Sequence, residues 1–123
     1  MRLEVAVTWV MAVYGSVMVL TESNFNEKIG TIPYMVVKFY APWCGHCRNL
    51  APDYELASQM LEIIGSKTVL AELDGTKAHQ VMDKYELTAY PVILYFQNGK
   101  MIEKFTSART AENIAKFAIK YED

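Results

Sequence analysis

Two cysteines, Cys44 and Cys47, enclose Gly45 and His46 and follow Trp43, and they are the only cysteines in 123 residues. A disulfide across so short a ring removes little entropy from the unfolded chain, only about 2 kcal/mol, so stapling gains little from this spacing. Reversible switching between dithiol and disulfide uses it fully. The pair stands where an apolar run, Met35 to Ala41, hands over to a helical pattern beginning at Cys44. At a helix start the unpaired N–H groups and the dipole favour an anion, so Cys44 is expected to ionise more readily than a free thiol. Cys47, one turn on, shares that face and is placed to resolve a mixed disulfide. The His46 imidazole adds a second push, and a thiolate stabilised in the reduced form makes the disulfide a better oxidant. With only two histidines beside the two cysteines, the sequence calls for no metal and no cofactor.

Twelve basic against fourteen acidic residues leave a net charge of −2, which excludes the electrostatic footprint of a nucleic-acid binder. The start of the chain stands apart. Arg2 precedes the apolar segment Val5 to Val13, followed by Gly15 and Ser16, so residues 1–15 are expected to be a signal peptide and 16–123 the working domain. A membrane anchor is not expected, because the apolar run 5–20 falls short of the ~20 residues that span a bilayer.

Behind the cysteines the rhythm alternates between short apolar runs and helical spacing, which predicts an α/β fold. Val17 to Leu20 reads as a strand, and Ser23 as the cap of a helix to Ile29 ended by Gly30. Met35 to Ala41 reads as a central strand interrupted by one anomalous charge, Lys38. The helix from Cys44 to about Ile64 is expected to stop at Gly65, to kink at Pro52, and to turn Leu56, Met60, Leu61 and Ile64 inward. Thr68 to Leu73 is a second buried strand, and Ala78 to Tyr85 a helix. Asn98-Gly99 between Val92–Phe96 and Met101–Phe105 is the strongest short hairpin signal. Thr110 caps a last helix whose stripe is Ile114, Phe117, Ala118 and Tyr121.

The segment Phe39-Tyr40-Ala41-Pro42-Trp43-Cys44-Gly45-His46-Cys47, with Leu50-Ala51-Pro52 after it, resembles the catalytic domain of protein disulfide isomerases, within the thioredoxin superfamily. The resemblance runs from about Val17 to the C-terminus and implies a thioredoxin-like fold, a central mixed sheet with helices on both faces. It implies that Tyr90-Pro91 is a cis-proline lying against the redox pair and offering backbone groups to an extended peptide. Arg109 matches a mobile arginine that approaches the second cysteine. One departure stands out: a buried acid is usual at position 38 and a lysine at 72, and here Lys38 and Glu72 reverse them. An isolated buried lysine would be severely penalised, so the two are expected to pair, with Lys38 or a water it holds handling the Cys47 proton.

These features lead to an expected activity, thiol–disulfide exchange on folding secretory proteins in the endoplasmic reticulum lumen. Cys44, Cys47, His46, Gly45, Arg109, Lys38 and Glu72 are its expected catalytic set, and Trp43, Tyr90 and Pro91 its substrate rim. The expected partners are unfolded or misfolded polypeptides bearing thiols or disulfides, and a redox partner, either an oxidase or glutathione. The alternatives are a cytosolic thioredoxin-like reductase and a peptide-binding chaperone subunit whose redox pair is idle.

Overall fold

A computed structural model describes residues 17–123, so the expected signal segment 1–15 lies outside the described residues. The elements follow the order expected from the alternating rhythm: β1 (Met18–Leu20), α1 (Phe25–Thr31), β2 (Tyr34–Tyr40), α2 (Gly45–Ile63), β3 (Val69–Asp74), a single 3-10 turn (Gly75–Lys77), α3 (His79–Lys84), β4 (Val92–Gln97), β5 (Lys100–Lys104) and α4 (Ala111–Ile119). The five strands form one sheet in the order β1-β3-β2-β4-β5. The first three are parallel, whereas β4 runs antiparallel to β2, and β5 antiparallel to β4. The sheet is therefore mixed. Its hairpin turns on Asn98 and Gly99, both at positive φ (51° and 83°), as that dipeptide permits.

Helices cover both faces, and β2 shows why its run is nearly unbroken in apolar residues. Met35, Val37 and Phe39 point into a core shared with α1 and α3, built on Phe25, Ile29, Val81 and Met82. Val36 points to the opposite core, where Leu50, Tyr54, Ala57 and Leu61 of α2 meet Ile114, Phe117 and Ala118 of α4. Strand side chains alternate, so Lys38 falls on the α2 side with Val36. That places the one charge of the strand beneath the helix that carries the cysteines.

Three local expectations are corrected. The cap of α1 is Asn24 rather than Ser23, and that helix ends at Thr31, one residue past Gly30. Leu56 and Ile64 face solvent, at 48% and 63% exposure; the buried stripe of α2 is instead Cys47, Leu50, Tyr54, Ala57, Ser58 and Leu61. Strand β5 is an edge with Met101 and Ile102 exposed, and Phe105 lies just beyond it in the core. Helix α2 runs on through Pro52 and ends before Gly65, whose positive φ of 73° suits glycine.

Candidate active site

Helix α2 begins at Gly45, and Cys44 is its N-cap, in extended conformation (φ −83°, ψ 121°). An N-cap side chain normally offers an oxygen to the orphan N–H groups of the first turn. Here the Cys44 sulfur takes that place and accepts from the Cys47 backbone N–H at 3.3 Å. Both thiols are free and both are largely buried.

The two sulfurs are driven apart in acidity. The Cys47 thiol hydrogen-bonds the Cys44 sulfur and holds the Cys44 pKa down, helped by the backbone N–H groups of Cys47 and His46 and by the Arg48 charge, against a smaller opposing effect of desolvation. Cys47 moves up, first because burial disfavours its anion and then because it is the donor in that bond; the Lys38 charge acts the other way. Cys44 is thus the more readily ionised of the two thiols and Cys47 the more firmly protonated. His46 acts on Cys44 through its backbone N–H, while its side chain is exposed.

Around the pair the chain brings three further groups. The Tyr90–Pro91 peptide is cis, and Cys44 Sγ donates to the Tyr90 carbonyl at 3.8 Å. Trp43 is 69% exposed and meets the Tyr90 ring edge-on, with centroids 6.0 Å apart. Tyr90 in turn packs on Gly75, where an added Cβ would come within 2.5 Å of the ring. From Pro91 a groove of about 530 Å³ runs between Ala89–Ile93 and Lys104–Arg109. Arg109 is exposed on the wall of this groove and is not part of the cavity that reaches Cys47.

Beneath Cys47, Lys38 and Glu72 are register partners on β2 and β3 and form an ion pair at 3.1 Å, their side chains 5% and 26% exposed. The Lys38 ammonium also lies 4.8 Å from the centre of the Tyr54 ring and 5.4 Å from that of Tyr40. A cavity of about 210 Å³ joins this pair to Cys47, with Arg48 and Ala51 on its helix side. Arg48 and Gly75 escaped the reading of the sequence. Arg48 had a signal, four residues beyond Cys44 on the same helix; Gly75 had none, because its neighbour Tyr90 is remote in the chain. Among the described residues no cluster of three metal-ligating side chains occurs, and no helix is long and apolar enough to cross a membrane.

A cysteine pair at the mouth of the helix leaving a central strand of a mixed five-stranded sheet defines a thioredoxin-type redox domain, and the chain belongs to the thioredoxin family, whose pattern matches residues 16–120. Protein disulfide-isomerase 1 of Caenorhabditis elegans is 45% identical over 105 residues, which is 85% of this chain and 21% of that protein. The protein disulfide-isomerase of Oryctolagus cuniculus is 37% identical over 111 residues, 89% of this chain and 22% of its own length. The first thioredoxin domain of mouse protein disulfide-isomerase A4 has a similar solved structure, with a TM-score of 0.76 at 30% identity over 85% of this chain and 76% of that one. The chain spans about a fifth of the length of these curated relatives.

Proposed function

We propose that this chain is a thiol–disulfide oxidoreductase of the protein disulfide isomerase type, acting on thiols and disulfides of other polypeptides. The observation that carries the reading is the Cys44 sulfur standing as N-cap of α2, lowered in pKa and beside the cis-proline groove. In oxidation, a client thiolate attacks Cys44 of the enzyme disulfide and Cys47 leaves. In isomerisation, Cys44 attacks a client disulfide, and Cys47 releases intermediates that stall. Trp43, Tyr90 and Pro91 offer an apolar rim to an extended client segment, whose backbone the groove accommodates. Arg109 is the flexible cation in this reading, free to swing from the groove wall toward Cys47 when that thiol must ionise.

The working compartment we propose is the endoplasmic reticulum lumen, where protein disulfides persist, with an oxidase or glutathione resetting the pair. Two variants test the activity. Cys44→Ser is expected to abolish turnover of a scrambled-disulfide substrate. Cys47→Ser is expected to accumulate a covalent complex with client, visible on a non-reducing gel. Full turnover by the Cys44→Ser protein would end the proposal; a wild-type protein that binds peptide but turns over no scrambled substrate would instead be a peptide-binding domain whose redox pair is idle.

A further inference from the structure

Gly75 opens the 3-10 turn that leaves β3, and it is buried. Its backbone asks for no glycine. The positive-φ glycines among the described residues are Gly65 and Gly99, so the conformation at Gly75 is open to any L-residue. What an alanine there lacks is space. Its Cβ would stand 2.5 Å from Tyr90 Cε1, 2.7 Å from the Tyr90 hydroxyl oxygen and 2.8 Å from Met82 Sδ. Carbon atoms in ordinary contact keep about 3.5–4.0 Å apart, so something has to retreat by about 1 Å.

The turn itself is pinned. Asp74 Oδ1 accepts from the Thr76 N–H at 2.9 Å and from the Thr76 hydroxyl at 2.6 Å, and the Ala78 N–H donates to the Gly75 carbonyl at 3.2 Å. Asp74 is also the last residue of β3 and the register partner of Tyr40 on β2. Met82 ends in a flexible thioether that swings aside at little cost. Tyr90 is a rigid ring on two torsions, and two of the three crowded atoms belong to it. A side chain at position 75 therefore moves the Tyr90 ring.

That ring belongs to the redox site. The Tyr90 carbonyl accepts from Cys44 Sγ at 3.8 Å, and the side chain packs against the cluster of Ala41, Cys44 and Cys47. Trp43, otherwise largely exposed, has the Tyr90 ring as its edge-on partner, so both halves of the apolar rim rest on one seat. Tyr90 and Pro91 also line the groove of about 530 Å³. Resting on the oxidoreductase reading above, we propose that Gly75 is a positioning residue of the redox site: its missing side chain seats the Tyr90 ring, and that seat fixes the rim against which a client segment lies while its sulfur reacts with Cys44. Gly75 touches neither the client nor the sulfur and acts through Tyr90.

The consequence is a split between substrates. A peptide disulfide lies along Trp43, Tyr90 and the groove, whereas 2-hydroxyethyl disulfide is small enough to meet Cys44 without spanning the rim. In Gly75→Ala, kcat/KM for a peptide disulfide is expected to fall about tenfold, chiefly through KM, because a displacement of about 1 Å misplaces the client and leaves the thiol chemistry intact. Reduction of 2-hydroxyethyl disulfide by the same protein is expected to change by less than about twofold. Tyr90→Leu lacks both crowded ring atoms. Whatever that substitution costs by itself, adding Gly75→Ala to it is expected to cost nothing further on the peptide, the signature of two residues coupled by contact.

An unchanged peptide KM in Gly75→Ala, equal losses on the peptide and the small disulfide, or an undiminished loss when Gly75→Ala is added to Tyr90→Leu overturns the seat. Should Gly75→Ala fail to fold, the double variant decides: it is expected to fold as Tyr90→Leu does, and its remaining unfolded overturns the seat as well. A wild-type protein inert toward both disulfides overturns the activity itself, and the seat with it.

Discussion

One sulfur doing the work of a capping oxygen sets the chemistry of this chain. A neutral thiol is a weak acceptor, whereas a thiolate at the same spot collects the first-turn N–H groups that the helix leaves unpaired, so the cap itself favours ionisation. The Arg48 charge adds to it from one turn along. In Arg48→Met, alkylation of Cys44 at neutral pH is expected to slow roughly threefold, the size of effect that one solvent-exposed charge exerts. The titration midpoint of Cys44, followed by the pH dependence of iodoacetamide labelling, moves up in that variant. It stays below that of Cys47, because Arg48 is neither the first nor the strongest cause. A midpoint unmoved by the substitution would show that Arg48 is screened out. The sequence already exposed the direction of the Cys44 shift, because helix start and cysteine fall together in it. It did not expose that His46 contributes a backbone N–H, since nothing in a residue's type says whether its side chain or its main chain will face a neighbour.

Helix α2 must point Cys47 toward the end of the sheet, and the same rotation decides everything else that the helix buries. Its inward residues step from Cys47 to Leu50, Tyr54, Ala57 and Leu61, alternating intervals of three and four. The apolar stripe expected from Leu56, Met60, Leu61 and Ile64 shares only Leu61 with it. Hydrophobicity misplaced the face because two of the inward residues are small or hydroxyl-bearing. Tyr54 is wholly buried, and its hydroxyl shares one proton between the carbonyls of Val36 on β2 and Ala71 on β3, at 3.0 and 2.8 Å. It ties the helix to two strands just above the Lys38–Glu72 pair. Tyr54→Phe is expected to cost about 1–2 kcal/mol in urea unfolding, the loss of a buried hydrogen bond with acceptors left behind. A change within a few tenths of a kcal/mol would mean the carbonyls are satisfied elsewhere.

At the scale of the molecule, the C-terminal segment is fastened at two points far from it in sequence. Glu103 of β5 takes Lys120 and Tyr121. Glu122 accepts from Ser66 Oγ at 2.7 Å, from the Lys67 N–H, and from Thr68 Oγ1 at 3.1 Å, closing the loop that leads into β3. Burial pushes the Glu122 pKa up, but the three donors together outweigh it and leave the carboxyl below its ordinary value. A carboxylate lowered on folding stabilises the fold above its unfolded pKa and loses that contribution as pH falls through the folded one. Glu122→Gln is therefore expected to destabilise the protein near neutral pH by about 1 kcal/mol, charged hydrogen bonds discounted for partial exposure. The difference from wild type should shrink in acid, below the usual glutamate range. Thermal unfolding at neutral and acid pH checks this, and a gap that persists undiminished in acid would refute it.

Linear order alone determined the succession of strands and helices, the Asn98-Gly99 turn, and the cysteine pair at a strand-to-helix handover, because each depends on residues within a turn or two of one another. It also exposed Lys38, a charge inside an apolar strand, as a problem needing a partner, and the family resemblance pointed to Glu72 as that partner. Only the tertiary structure decided which face of α2 is buried, that Glu72 opens to solvent while Lys38 does not, and that Gly75 makes room for Tyr90 beside the sulfur. Those are contacts between segments distant in the chain, where the parallel register of β2 and β3 and the packing of one helix across them, and not any local preference, select the neighbours.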